Sequence, residues 1–213
     1  EASLALSVRF STSPKKYIIR FSDSMIDLGH KKDIVDFFIQ QALSADLVLV
    51  AAEGIKNELI GFGVNPSIIV ALPNGVDLSR YERNYEKPDA YQYFSGPIAV
   101  YVGNTEIIDH ELLKYSAIQL PHVTFFIIGP YKKQVLRNLP RNLVYHGYVE
   151  PNLVPAYLQN ATVGLVPIIA SRWGIMERPR KLYQYLAAGI PVVSTKGKYS
   201  LPTSYVSYAD TEH

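Results

Sequence analysis

The chain contains no cysteine, which excludes a disulfide scaffold, a thiolate zinc site and a cysteine nucleophile. No apolar run approaches the ~18 residues a membrane-spanning helix needs, and Glu1-Ala2-Ser3-Leu4 has no signal-peptide layout. Neither a Gly-x-Gly-x-x-Gly fingerprint nor a Walker A sequence occurs, so no motif supports a bound dinucleotide or a phosphate loop. His110, His122 and His146 are scattered without ligand spacing, and no metal is expected. Excess charge is missing too: a net +2 argues against a nucleic-acid partner. These absences point to a soluble, cytoplasmic protein that handles a small ligand.

What is present is a core-forming composition. Hydrophobic residues make up 48% and charged residues 19% of 213, enough for packed domains and too apolar for disorder. That length is one large domain, two small ones, or a piece of something bigger. The charge is unevenly spread. Residues 1–90 carry 10 Lys/Arg against 12 Asp/Glu, whereas residues 91–213 carry 11 against 7. Six of those cations fall between Arg172 and Lys198, where the only acid is Glu177. A local positive field in a near-neutral chain suits a small anionic ligand.

Short β-branched runs alternate with longer amphipathic ones. Strands are expected at Tyr17-Ile18-Ile19-Arg20-Phe21, 47–50, 68–72, 98–102, 123–128, 143–145, 163–166 and 190–193. Helices are expected between them: one N-capped by Asp33, and others over 53–60, from about Asp109, near 152–160 and over 179–188. Residues 76–96 are polar, carry Pro88 and Gly96, and read as a linker or crossover. Strand–helix–strand at this regularity signifies an α/β fold of doubly wound parallel sheets. Ligands of such sheets sit at the carboxyl ends of strands.

At those ends the chemistry-bearing residues gather. Arg178-Pro179-Arg180-Lys181 opens the helix that Gly189 closes, so three cations oppose the helix dipole. A phosphate or diphosphate would offset that cost; a solvated basic turn is the plain alternative. Lys181 and Gln184 lie three apart and share a face, fit to hold a phosphate and a ribose edge. Asp23 follows the first strand and could act as a general base, although taken alone a turn or N-cap aspartate is the more ordinary reading there. Asp27 and His30 are rival bases. Gly103, Gly129 and Gly147 each end a strand, where glycine admits close ligand approach or simply makes a turn. The stretch 129–133 reads as a solvated basic turn.

The ordered set Pro73-Asn74-Gly75-Val76-Asp77, Tyr101-Val102-Gly103-Asn104 and Lys181-Leu182-Tyr183-Gln184-Tyr185-Leu186-Ala187-Ala188-Gly189-Ile190-Pro191-Val192-Val193 resembles the GT-B glycosyltransferases. These enzymes bind nucleotide sugars between two Rossmann-like domains. The large retaining group of that family carries two glutamates eight positions apart. Gln184 stands at the second place and Met176 at the first, with Glu177 one out of register. Asn104-Thr105-Glu106 replaces its diphosphate-holding arginine and lysine. The Lys-Leu-x-Gln-Tyr pattern at 181–185 and Arg20-Phe21-Ser22-Asp23 are instead similar to the xanthan-pathway glucuronosyltransferase type, which inverts.

The resemblance implies transfer of a sugar from a nucleoside diphosphate, UDP rather than GDP, to a lipid-linked or polysaccharide hydroxyl. It implies Asp23 as base, with Arg180, Lys181, Gln184, Gly103, Asn104, Gly147 and Tyr148 at the donor and no cofactor or metal. It places the protein in the cytoplasm, at the inner face of the plasma membrane as a peripheral protein. A nucleotide-sugar epimerase of the same fold, or a non-catalytic nucleotide-sugar-binding domain, are the alternatives. Against a two-domain enzyme, 213 residues are few. The division expected is 1–76 as the end of an acceptor domain, 77–94 as linker, and 95–213 as a nearly complete donor domain, in a truncated or partial chain.

Overall fold

The computed structural model describes residues 15–26, 30–169, 180–196 and 203–209. Two compact units emerge, one from the described residues up to Asn74 and the other from Gly75 onward.

In the first unit, β1 (Ile18–Phe21), β2 (Leu47–Val50) and β3 (Ile69–Ala71) form a parallel sheet in the order β1-β2-β3. Two helices, α1 (Lys32–Leu43) and α2 (Glu53–Gly61), make the crossovers. Val48, Val50, Ile55 and Leu59 are at most 3% exposed and anchor the core, with Phe21 and Met25 packed on it. Asp33 does not cap α1: the N-cap position falls on Lys31, and Asp33 lies inside the first turn, where its charge still favours the helix N-terminus. Ile34 near its start is 39% exposed. The helix turns Ile39, Gln41 and Ala42 inward.

The second unit is a six-stranded parallel sheet ordered β6-β5-β4-β7-β8-β9. Its strands are β4 (Ile98–Val102), β5 (Thr124–Ile128), β6 (Leu143–Gly147), β7 (Val163–Val166), β8 (Val192–Thr195) and β9 (Val206–Ala209). Helix α3 (His110–Gln119) starts where Asp109 accepts from Leu112 N–H at 2.9 Å, an N-cap that satisfies one orphan donor. Helices α4 (Val154–Gln159) and α5 (Arg180–Ala187) complete the described crossovers. Strand order reverses at β4, with β5 on one side and β7 on the other. This switch point is where a doubly wound sheet opens a crevice.

The stretch 77–94 is packed rather than free. It forms two 3-10 turns, Leu78–Arg80 and Asp89–Tyr91. Tyr91 is fully buried, with its ring edge-on to Phe126 at 4.8 Å and to Tyr157 at 5.2 Å; such pairs contribute about 0.5–1.5 kcal/mol each beyond area burial. Gln159 and Asn160, at the end of α4, bind its backbone. Gln159 donates to Tyr81 O at 2.9 Å and accepts from Tyr85 N–H at 3.2 Å. Asn160 donates to Tyr85 O at 3.2 Å. Among the described residues no helix is long and apolar enough to cross a membrane.

Candidate functional site

Three glycines sit side by side at the carboxyl ends of β4, β5 and β6. Gly103 N–H donates to Ile128 O at 2.9 Å, and Gly129 N–H donates to Gly147 O at 2.8 Å. Gly103 and Gly129 both take φ of +144°, a region that L side chains rarely adopt. A Cβ on Gly129 would fall 1.9 Å from Gly103 O. The glycines therefore let two backbone turns touch, and the surface they leave is bare peptide.

Helix α5 delivers its N-terminus to that surface. Its register is set by Tyr185, fully buried, whose hydroxyl accepts from Val102 N–H at 3.0 Å and donates to Leu165 O at 3.2 Å. Gly164 makes room for the ring: a Cβ there would meet Tyr185 Cδ2 at 2.4 Å. One turn earlier stands Lys181, only 8% exposed. A Cβ on Gly103 would lie 3.3 Å from Lys181 Cε and 3.6 Å from Nζ, so the ammonium rests against the first glycine turn. Its Nζ also lies 5.1 Å from the centroid of the Tyr101 ring, within cation–π range.

No carboxylate among the described residues pairs with Lys181. Burial alone pushes its pKa down to about 8. A buried cation without a counter-ion is costly in the free protein and lowers that cost when an anion arrives. Beside it opens a cleft of ≈ 280 Å³ whose walls include Arg80, Gly103, Gly129, Tyr148, Arg180 and Gln184. Gln184 shares a hydrogen bond with the hydroxyl of Tyr81, itself largely buried.

The expected donor residues therefore fall into three groups. Gly103, Tyr148, Arg180 and Gln184 line one cleft, and Lys181 backs the Gly103 turn. Gly147 contributes its carbonyl to the glycine ladder. Asn104 is used differently: its side chain accepts from Glu106 N–H at 2.9 Å, capping the turn Thr105–Ile107, and it lines a neighbouring hollow with Pro130 and Tyr131. Lys132, in the basic stretch after Gly129, pairs with Glu106 at 2.8 Å on the surface. Met176, Glu177, Arg178, Pro179 and Asp27 lie outside the described residues.

Asp23 belongs to the first unit, just past β1, and its side chain is exposed. Partial desolvation raises its pKa above the ordinary carboxylate value, against the opposing pull of the Arg20 guanidinium. Arg20 is held by Asn74 Oδ1 at 3.1 Å. The loop that follows Asp23 is tied down by Glu58 of α2, which accepts from Ser24 Oγ at 2.5 Å and Ile26 N–H at 3.3 Å. His30, the rival base, is exposed. Among the described residues no three His, Asp or Glu cluster to hold a metal ion.

Residues 96–204, just over half of the chain, match the family of glycosyl transferases group 1. The chain belongs to the group 1 glycosyl transferases. The chain is 31% identical over 153 residues to TuaH of Bacillus subtilis (strain 168), a protein whose name assigns it to teichuronic acid biosynthesis as a glycosyltransferase; the match takes in 66% of this chain and 38% of TuaH. It is 26% identical over 164 residues to the processive diacylglycerol alpha-glucosyltransferase of Acholeplasma laidlawii, covering 70% of this chain and 48% of that one.

Among solved structures it is similar to Anabaena HepE in complex with UDP and glucose, with a TM-score of 0.72 and 14% identity over 92% of this chain and 56% of HepE. Sucrose-phosphate synthase from Thermosynechococcus elongatus follows, with a TM-score of 0.70 and 16% identity over 92% and 53%. These likenesses establish the parallel-sheet GT-B fold. The chain spans about half the length, or less, of the relatives it matches.

Several residues of the candidate site escape a reading of the sequence. Arg80 and Tyr81 lie in a segment whose polarity marks it as a connector, and only the three-residue offset from Asp77, which caps their turn through Ser79 N–H at 3.1 Å, hints at structure there. Glu58 carries no motif of its own.

Proposed function

We propose that this chain is part of an enzyme that transfers a sugar from a nucleoside-diphosphate donor, UDP-linked, to a hydroxyl acceptor. The observation that carries the reading is Lys181, a buried ammonium without a carboxylate partner among the described residues, set against the Gly103 turn beside the cleft. Complexes of HepE with UDP and with UDP-glucose support the choice of nucleotide. Names of the curated relatives, one for teichuronic acid and one for a diacylglycerol glucoside, support a saccharide or lipid-linked acceptor, reached by a peripheral protein at the inner face of the plasma membrane. The second unit is then the donor side and the first belongs to the acceptor side.

The reaction follows the chemistry of the two units. The Asp23 carboxylate takes the proton of the acceptor hydroxyl as that oxygen bonds to the anomeric carbon. The bond from that carbon to the diphosphate breaks, and its electron pair leaves on the phosphate oxygen. Lys181, with Arg180, takes up the charge that develops there, as does the positive end of the α5 dipole. Gln184 holds the ribose, and backbone near Gly147 and Tyr148 meets the base. Direct displacement by an oxygen activated at Asp23 inverts the anomeric centre, as in the xanthan-pathway glucuronosyltransferase type.

The full-length enzyme, given UDP-glucose or UDP-glucuronate and a membrane-extracted acceptor, should yield a product of inverted anomeric configuration by NMR. A retained configuration overturns the Asp23 mechanism. Conversion of the donor sugar without any acceptor would favour the epimerase alternative.

A further inference from the structure

Arg80 has no role in the mechanism above, yet it stands in the wall of the cleft. It sits on a turn held on every side. Asp77 caps the turn through the Ser79 N–H and hydroxyl at 3.1 and 2.7 Å. Arg80 O accepts from the Tyr85 hydroxyl at 3.0 Å, and the next carbonyl, Tyr81 O, accepts from Gln159 at 2.9 Å. The guanidinium is half-buried and donates to the carbonyl of Pro151. No carboxylate among the described residues neutralises it. Of its five N–H donors, only this one contact is made among the described residues.

The cleft wall mixes two chemistries. Gly103, Gly129 and Arg180 supply bare peptide and cation, which suits phosphates. Tyr148, Val149, Pro151 and Val154 supply apolar and aromatic surface, which suits a flat heterocycle. The hydrogen bond to Pro151 puts the Arg80 fork beside this second group. A heterocycle seated there presents its edge to unspent N–H donors. Uracil, thymine and guanine answer with exocyclic carbonyl oxygens, whereas adenine carries an amino group and no carbonyl.

We propose that Arg80 is a specificity-determining residue that donates to a carbonyl oxygen of the donor's nucleobase and so selects carbonyl-bearing bases over adenine. This rests on the nucleotide-sugar reading of the same cleft. The consequence is that the segment joining the two units reads the donor directly.

Calorimetric titration of the chain with UDP, ADP and inorganic pyrophosphate tests it, with Arg80→Met keeping the stem and removing the fork. A lost charge-assisted hydrogen bond corresponds to about a tenfold or larger loss. UDP affinity should fall by that factor in Arg80→Met while ADP and pyrophosphate affinities stay within twofold of wild type. Equal losses for UDP and ADP, or any matching loss for pyrophosphate, overturn the proposal, because Arg80 would then act on the phosphates. Arg80→Lys retains charge and stem if the methionine variant fails to fold, and should show a smaller loss confined to UDP. A wild type that binds nucleotides but prefers ADP sinks the Arg80 proposal alone. A wild type that binds none of the three sinks the nucleotide reading beneath it.

Discussion

The two units solve opposite problems with the same strand–helix repeat. In the second, β4 and β5 are buried almost throughout and Lys181 is shut in beside them. In the first, β1 and β3 leave Ile18 at 56% and Val70 at 47% exposed, and Asp23 is exposed but partly desolvated by its surroundings. Desolvation moves the two groups in opposite senses: the lysine's pKa falls to about 8 and the aspartate's rises. Each shift disfavours the charged form, so each group is made readier for what it must do. A lysine short of a counter-ion holds an anion, and a carboxylate short of solvation takes a proton. On the proposed reaction, binding and proton transfer separate by unit.

The largest effect belongs to Asp23→Asn in the full-length enzyme. A general base is worth about 10²–10⁴ in rate, so turnover should fall by at least a hundredfold while UDP affinity stays within twofold, measured by product formation and by calorimetry. A variant that keeps half its turnover, or loses UDP binding, breaks the division of labour. The acid limb of the pH profile should also lie above the ordinary carboxylate range, because activity is lost as pH falls through the raised pKa of Asp23.

Next is the glycine ladder. Gly129→Ala drives a Cβ into Gly103 O and should destabilise the chain by more than about 3 kcal/mol in chemical denaturation. Gly61→Ala, in α2 of the first unit, meets nothing within 4 Å and should change stability by less than about 1 kcal/mol. Similar costs for both would mean that close backbone approach is not what those glycines serve.

Lys181→Met is smaller and of opposite sign for stability. A lysine whose pKa drops from 10.5 to about 8 on folding destabilises the fold below that value by on the order of 2–3 kcal/mol, a cost that fades as pH rises from about 8 to 10.5. Methionine removes it, so the variant should melt several degrees higher at pH 7 and no higher near pH 10.5. A lower melting temperature at pH 7 would show that Lys181 is paired in the free protein.

Much of the sheet was legible in the residues. The runs at 98–102 and 163–166 are continuous and β-branched, and both form strands at the bounds expected. β9 was not legible, because Val206-Ser207-Tyr208-Ala209 has neither a run nor a clear alternation and becomes a strand only by pairing with β8. Asp33 misled because a helix N-cap and a first-turn acid look alike in sequence; the difference is one backbone position. At the candidate site, residue types were readable but depth was not. Lys181 reads as one of three cations on a helix end, and its burial follows from Tyr185 and Gly164 drawing α5 onto the sheet. Asn104 reads as a donor contact, and its turn-capping hydrogen bond to Glu106 N–H carried no signal in the residues. Arg80 was hidden by a polar stretch whose order comes from Gln159 and Asn160, more than seventy residues away.

The central claim, a buried lysine waiting for a diphosphate, is tested most directly by UDP calorimetry from pH 6.5 to 9.5 in buffers of different ionisation enthalpy. Below about pH 8 Lys181 is charged in the free protein, and the affinity for UDP should be nearly flat. Above it, binding must draw a proton onto the lysine, so affinity should fall by up to tenfold per pH unit with close to one proton taken up, and Lys181→Met should abolish both effects. Affinity that stays flat to pH 9.5 with no proton uptake would contradict the account.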